Sequence, residues 1–307
     1  MRVVEIPSEI PLRHTEDWER VLDVVPAAVL IVDSRGAIVY ANEEAALLTG
    51  YTRDELTRCD VEDLVPEDRR SAHAQWRSGW RGECRPMGTE LDIECRRADG
   101  TNFPADVSLA PITLADATYV VATLRDETER RRSEDELLRR ALHDPLTGLP
   151  NRVLFLDRLH HALERRGREG QPVAVLYVDL DGFKDVNDTW GHATGDEVLQ
   201  VVGRRLAATV RPGDTVARFG GDEFLILCER LTSEKEAADV AQRLLDAISV
   251  PVDLHAETVD LSASVGIAVA GHPSDTSTGL VDAADQAMYQ AKRTGGRIAT
   301  GPSPLGS

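Results

Sequence analysis

Seven consecutive residues, Arg218-Phe219-Gly220-Gly221-Asp222-Glu223-Phe224, restrict this chain more than any other feature. The apolar runs Thr215–Phe219 and Phe224–Cys228 flank Gly220-Gly221-Asp222-Glu223, and that spacing predicts a tight hairpin in which glycine supplies the backbone freedom. A further apolar run, Val173–Val178, stops abruptly at Asp179-Leu180-Asp181. Carboxylates two residues apart on a strand face the same side of a sheet. If this strand lies beside the hairpin, Asp179, Asp222 and Glu223 converge at a strand end, where α/β folds commonly bind ligands. Carboxylates that close repel one another unless a hard cation sits among them. Mg2+ (or Mn2+), held by a few carboxylates together with ligand phosphates, fits such a cluster.

The hairpin lies in a region of mixed period. Apolar residues recur at helical spacing in Phe155, Leu159, Ala162 and Leu163, then in Leu199, Val202, Leu206 and Val210. The same spacing returns in Val240, Leu244 and Ile248, and in Ala284, Ala287, Met288 and Ala291. Between them lie the strand-like runs above and the alternating Leu261, Ala263, Val265 and Ile267. Helices interleaved with strands predict an α/β domain over residues 144–299, with helices covering a sheet. Residues 300–307 are rich in Gly, Pro and Ser and are expected to fray.

Upstream, residues 16–128 predict a smaller α+β domain, after a segment 1–15. An amphipathic stretch, Trp18–Val25, leads into the strand Ala28–Val32, the turn Asp33-Ser34-Arg35-Gly36 and the strand Ala37–Tyr40. A short helical pattern from Asn42 to Leu48 ends at Gly50. The alternating runs Glu90–Cys95 and Ala105–Leu109 read as a hairpin about Ala98-Asp99-Gly100-Thr101, and Tyr119–Leu124 as a last strand. Residues 129–143 are dense in Glu and Arg, with few apolar positions. They predict an exposed connecting helix that two subunits could use as a lever.

With 53 acidic against 35 basic residues the net charge is −18, which repels a phosphate backbone, so nucleic acid is not an expected partner. No apolar run is long enough to span a bilayer and the N-terminus opens no secretory pattern. The four cysteines show no CxxC spacing and read as reduced thiols. The expectation is a soluble, cytoplasmic protein of two domains that makes no membrane contact.

In their context the acidic residues resemble the GGDEF family of diguanylate cyclases. Five motifs in order carry the resemblance: Asp144–Arg152, Asp179–Asp196, Arg218–Phe224, Ser264–Ile267 and Ala284–Lys292. The resemblance implies a sheet like that of nucleotidyl cyclases and the polymerase palm. It also implies an enzyme that condenses two GTP into cyclic di-GMP, with two metal ions per active site and a homodimer bringing two GTP face to face. Carried over by position, Asp179, the Leu180 carbonyl, Asp222 and Glu223 would hold metal, and Asp222 and Glu223 would be catalytic. A metal-bound carboxylate is a weak base, which favours metal binding over proton transfer for Asp222. Asn187 and Asp196 would read guanine, whose adjacent N–H donors suit a carboxylate. His192 stands near them, as a ligand contact or a packing residue. Lys184 and Lys292 would neutralise the terminal phosphates.

Arg211-Pro212-Gly213-Asp214 reads as a helix-ending turn, and it also matches the family's allosteric inhibitory site, where Arg211 and Asp214 would bind the cyclic product. A competing reading is a catalytically inactive module that binds GTP or cyclic di-GMP and relays a signal. Inactive versions usually lose acids or glycines that this chain keeps. The helix end Lys292-Arg293-Thr294-Gly295-Gly296-Arg297 carries one glycine beyond the usual pattern, which puts a phosphate role for Arg297 in doubt.

The first domain resembles a PAS sensor. The residues that carry this are Val32–Ile38, Asn42, Gly50-Tyr51, Arg97-Ala98-Asp99-Gly100-Thr101 and Arg125–Arg130, with Glu127 where the family usually has an apolar residue. The resemblance implies regulation by an unknown small molecule or by no ligand at all. His73 stands where some oxygen-sensing PAS domains place a haem ligand, but a lone histidine there is more often a packing or surface residue, and haem is not expected.

Overall fold

The computed structural model describes residues 15–79, 85–86, 93–114, 117–254, 257–272, 274–295 and 297–301. The chain divides into two compact units, Met1–Asp135 and Glu136–Ser307.

In the first unit, α1 (Thr15–Asp23) precedes β1 (Ala28–Val32) and β2 (Ile38–Ala41). Then come α2 (Glu43–Thr49), α3 (Arg53–Leu56), two short 3-10 turns and α4 (Arg70–Gly79). Strands β3 (Arg85–Pro86), β4 (Glu94–Arg96), β5 (Asn102–Leu114) and β6 (Ala117–Asp126) complete it. The sheet is antiparallel in the order β2-β1-β6-β5-β3, with β4 paired to β5 through the expected hairpin. Part of the Glu90–Cys95 run lies outside the described residues.

Asn42 explains how α2 is seated. Fully buried, its Oδ1 accepts from Val29 N and Ala45 N, and its Nδ2 donates to the Leu22 and Ala27 carbonyls. One amide thus caps the helix and ties it to β1, with its polar atoms satisfied as burial requires. At the other end, Asp126 accepts from Thr128 N at 2.7 Å and pairs with Arg97, whose guanidinium lies over the Phe103 ring. This starts α5 (Thr128–Leu142), in which no residue is buried and Leu137 and Leu138 are largely exposed. The off-pattern Glu127 is buried and pairs with Arg130.

The second unit follows with α6 (Arg152–Glu169), β7 (Ala174–Asp181), α7 (Phe183–Trp190), α8 (His192–Thr209), β8 (Thr215–Gly220) and β9 (Glu223–Cys228). Next come α9 (Glu234–Ile248), β10 (Val252–Leu254), β11 (Glu257–Val259), β12 (Ser262–Val269), α10 (Ser277–Thr294) and β13 (Ile298–Thr300). The main sheet runs β13-β12-β7-β9-β8, with β12 and β13 parallel and the other pairs antiparallel. β7 is central, which is why it reads as an unbroken apolar run. One face buries Leu176, Val178, Ile226 and Val265 against α7, α8 and α9. The other buries Val175, Tyr177, Leu225 and Leu227 against α6 and α10. β7 continues three residues past its apolar run, so both acids stand on the strand itself.

Candidate active site

Local turn chemistry builds the tip. Gly220 pairs with Glu223, leaving Gly221 and Asp222 at the turn, and Gly221 has φ +50°, a conformation that glycine adopts without strain. Arg218 fixes the turn from below. Its guanidinium donates to the Gly221 carbonyl at 2.7 and 3.0 Å and to both carboxylate oxygens of Asp144 at 3.1 Å. Asp144 also accepts from the Thr147 amide and hydroxyl. Burial raises the pKa of Asp144, but these donors outweigh it and hold the carboxyl below its usual range.

Register then brings the acids together. Asp179 on β7 lies opposite Glu223 on β9, and Leu180 N donates to the Asp222 carbonyl at 3.3 Å. Asp179, Asp181 and Glu223 share the face that carries Tyr177. The two β7 carboxylates have different company. Asp181 accepts from the Ser262 and Ser264 hydroxyls at 3.1 and 3.0 Å across β12, whereas among the described residues Asp179 accepts from the Lys292 ammonium of α10 alone. Burial raises the Asp179 pKa, Asp222 and Asp181 raise it further, and Lys292 opposes them. Burial likewise raises Glu223, with Asp179, Asp222 and Asp285 adding to it against a hydrogen bond from Tyr177. Burial and Glu223 push the Tyr177 phenol up in turn.

A cluster whose acids raise one another's pKa lacks positive charge. Among the described residues no three His, Cys, Asp or Glu side chains form a metal cage on their own. Mg2+ does not require one, since it keeps waters and binds through one or two carboxylates plus phosphate oxygens. The all-oxygen donors expected from the sequence, Asp179, Asp222, Glu223 and the Leu180 carbonyl, are of the kind that ion takes.

Beside the cluster, α7 begins one glycine after Asp181 and carries exposed Lys184 on its first turn. Half-buried Asn187 sits against the first turn of α8. A Cβ placed on Gly195 would lie 2.0 Å from Asn187 Oδ1, so the absent side chain at 195 makes room for the amide. Asp196 is the next residue and is exposed, as is His192 at the helix start. Arg297 turns toward Ser249, 3.3 Å from its Oγ.

Away from the cluster, Arg211 and Asp214 approach to 3.6 Å just before β8. The Asp214 carboxylate is only 3% exposed, accepts from Glu229 N, and has its pKa raised by burial. Sequence reasoning assigned no part to Arg218, Asp144, Tyr177 or Asp285, although each lies inside or beside a quoted motif. In the first unit, His73 lies on the wall of an apolar cavity of about 390 Å³ with its Nδ1 3.2 Å from Glu62.

Comparison with known proteins agrees with this architecture. The family described as "Diguanylate cyclase, GGDEF domain" matches residues 141–297, and the PAS domain family matches residues 26–129. The chain is 42% identical over 198 residues, 62% of its length, to the bifunctional diguanylate cyclase/cyclic di-GMP phosphodiesterase MucR of Pseudomonas aeruginosa. It is also 42% identical over 176 residues, 55% of its length, to the diguanylate cyclase TpbB of that species. The matched regions are 28% and 40% of those two relatives, so the chain spans well under half of either. The coiled coil and GGDEF domain of DgcB from Caulobacter crescentus, solved in complex with c-di-GMP, has a TM-score of 0.52 and 30% identity. That match covers 57% of this chain and 93% of DgcB's. No helix among the described residues is long and apolar enough to cross a membrane. The chain belongs to the GGDEF diguanylate cyclase family and carries a PAS domain ahead of its GGDEF domain.

Proposed function

We propose that the second unit is a working diguanylate cyclase, converting two GTP into cyclic di-GMP and two pyrophosphates under control of the PAS domain. The observation that carries this reading is the pairing of Asp179 with Glu223 beneath the Asp222 turn, with the Lys292 ammonium on Asp179. Asn187 and Asp196 bind the guanine, the amide seated over Gly195 and the carboxylate accepting the base N–H donors. Lys184 and Lys292 bind the terminal phosphates as point charges. Asp179, Asp222 and the Leu180 carbonyl would hold Mg2+, which when bound would polarise the α-phosphate and neutralise charge on the leaving pyrophosphate.

In each half-reaction a bond forms from a 3′-oxygen to the α-phosphorus of the other GTP, and the bond from that phosphorus to pyrophosphate breaks. A Glu223 carboxylate oxygen accepts the hydroxyl proton, since it stands opposite Asp179 across the β7–β9 ladder at the base of the turn. One site holds one GTP, so two subunits must face each other, and positioning supplies much of the rate. Arg211 and Asp214 form a second site at which cyclic di-GMP restrains turnover.

The test is incubation of the purified protein with GTP and Mg2+. The expected result is cyclic di-GMP with two pyrophosphates per product, none from ATP, and a specific rate that rises with protein concentration until dimers saturate. Tight GTP binding without product, even after Arg211→Ala, would mark a binding module instead.

A further inference from the structure

Arg211 is already occupied by its own chain. Its Nη1 donates to Glu236 Oε1 at 2.9 Å, and its Nη2 donates to the Glu229 and Arg230 carbonyls at 2.6 and 3.1 Å. Its Nε lies 3.6 Å from buried Asp214. Both Nη atoms of the fork that would grip a phosphate therefore already donate to acceptors of the same chain. Glu236 is itself held in place: its Oε2 accepts from the Thr232 amide at 2.7 Å and hydroxyl at 2.8 Å. These donors, chiefly the Thr232 amide, keep its carboxyl below the usual range, so it is a full negative charge near neutral pH. The segment between β9 and α9 that carries these partners folds back at Arg230, whose φ of +54° is rare for a residue with a side chain. Glu229 is committed elsewhere, pairing with Arg165.

We propose that Glu236 is an internal competitor for Arg211 that sets how much cyclic dinucleotide is needed to inhibit the enzyme. The proposal rests on the reading of Arg211 and Asp214 as the inhibitory site. An incoming phosphodiester must displace a carboxylate from the guanidinium and then sit beside it, so two costs weaken binding together. One is the loss of a charge-assisted hydrogen bond, and the other is repulsion between like charges. Neither depends on the PAS domain. The threshold for inhibition is then written into one contact across 25 residues of the same domain.

The experiment titrates cyclic di-GMP into the full chain by calorimetry, with a non-hydrolysable GTP analogue saturating the active site, and follows inhibition of initial rates in parallel. Glu236→Gln keeps the shape and the Thr232 contact but removes the charge, and it is expected to tighten binding roughly tenfold, about the worth of one hydrogen bond to a charged group. Glu236→Ala removes the acceptor and is expected to tighten it at least as much. Arg211→Ala should abolish binding, and the double variant Arg211→Ala/Glu236→Gln should match it. If Glu236→Gln and Glu236→Ala bind with unchanged or weaker affinity while Arg211→Ala loses the ligand, the site stands and the competitor is refuted. If Arg211→Ala binds like the parent protein, the inhibitory site itself is misassigned and the proposal fails with it. Circular dichroism melts of each variant separate a binding change from unfolding.

Discussion

Replacing Gly195 by alanine separates the guanine contact proposed for the Asn187 amide from the stability of the fold. An ideal Cβ at that position lies 2.0 Å from Asn187 Oδ1, 3.0 Å from its Cγ and 3.2 Å from Phe183 Cζ. The amide oxygen must retreat about 1.4 Å to reach ordinary contact at 3.4 Å, while the ring gives by a few tenths of an ångström. Gly195 lies within α8, where alanine is intrinsically favoured by about 0.5–1 kcal/mol, so displacing one side-chain end leaves folding stability nearly unchanged. Recognition is not compensated in this way. Losing two hydrogen bonds between the amide and guanine costs about 1–3 kcal/mol, roughly 5- to 150-fold in KM for GTP. Initial rates against GTP concentration, paired with thermal melts, measure both quantities. Asn187→Ala and the double variant should be impaired to the same degree as Gly195→Ala, since all three lose one contact. A wild-type KM in Gly195→Ala would refute the reasoning. So would a KM increase that comes with several kcal/mol of lost stability.

Asp144→Asn should lower kcat more than it lowers GTP binding, because Arg218 then holds the Gly221 turn alone; the split between kcat and KM checks it. Because the folded Asp144 carboxyl titrates below the ordinary value of 3.8, its stabilisation is complete above that pH and lost as pH falls through the folded value. The gap between the parent protein and Asp144→Asn should be about 1–3 kcal/mol at neutral pH and close in strong acid, as urea melts across pH would show. Lys292→Ala frees Asp179 from the ammonium that pairs with it, so half-saturation by Mg2+ should fall while KM for GTP rises about 10- to 100-fold. A metal titration that does not move would count against the shared site. Asn42→Ala strips four hydrogen bonds from a buried amide and should cost the first unit about 2–4 kcal/mol, read as faster amide exchange in β1.

The hairpin tip was legible in the sequence because its chemistry is local: two glycines between apolar runs leave a chain few alternatives. Helical spacing placed α6, α8, α9 and α10 for the same reason, since each buries one stripe. What stayed hidden depends on strand order and on contacts between distant residues. Alternation showed that Asp179 and Asp181 share a face. It did not show that β12 would bring Ser262 and Ser264 to the second acid and leave the first for Lys292. Arg218 and Asp144 both stood in quoted motifs, but 74 residues separate them, and nothing local marks them as partners. The short strands β10, β11 and β13 have too few residues to show a period. Arg211-Pro212-Gly213-Asp214 reads as a helix-ending turn, and nothing local to it shows that the Asp214 carboxylate is buried with Glu229 N, 15 residues on, as its donor.

The central claim is that the Asp179 cluster turns GTP over. Its most direct test is the rate of cyclic di-GMP formation by the parent protein and by Asp179→Asn, measured side by side with saturating GTP and Mg2+. Steady product is expected from the parent and a loss of about a thousandfold or more in the variant, with GTP binding weakened far less. Equal rates from the two proteins would contradict this reading, as would the absence of product both from the parent and from an Arg211→Ala variant in which the proposed inhibitory site is disabled.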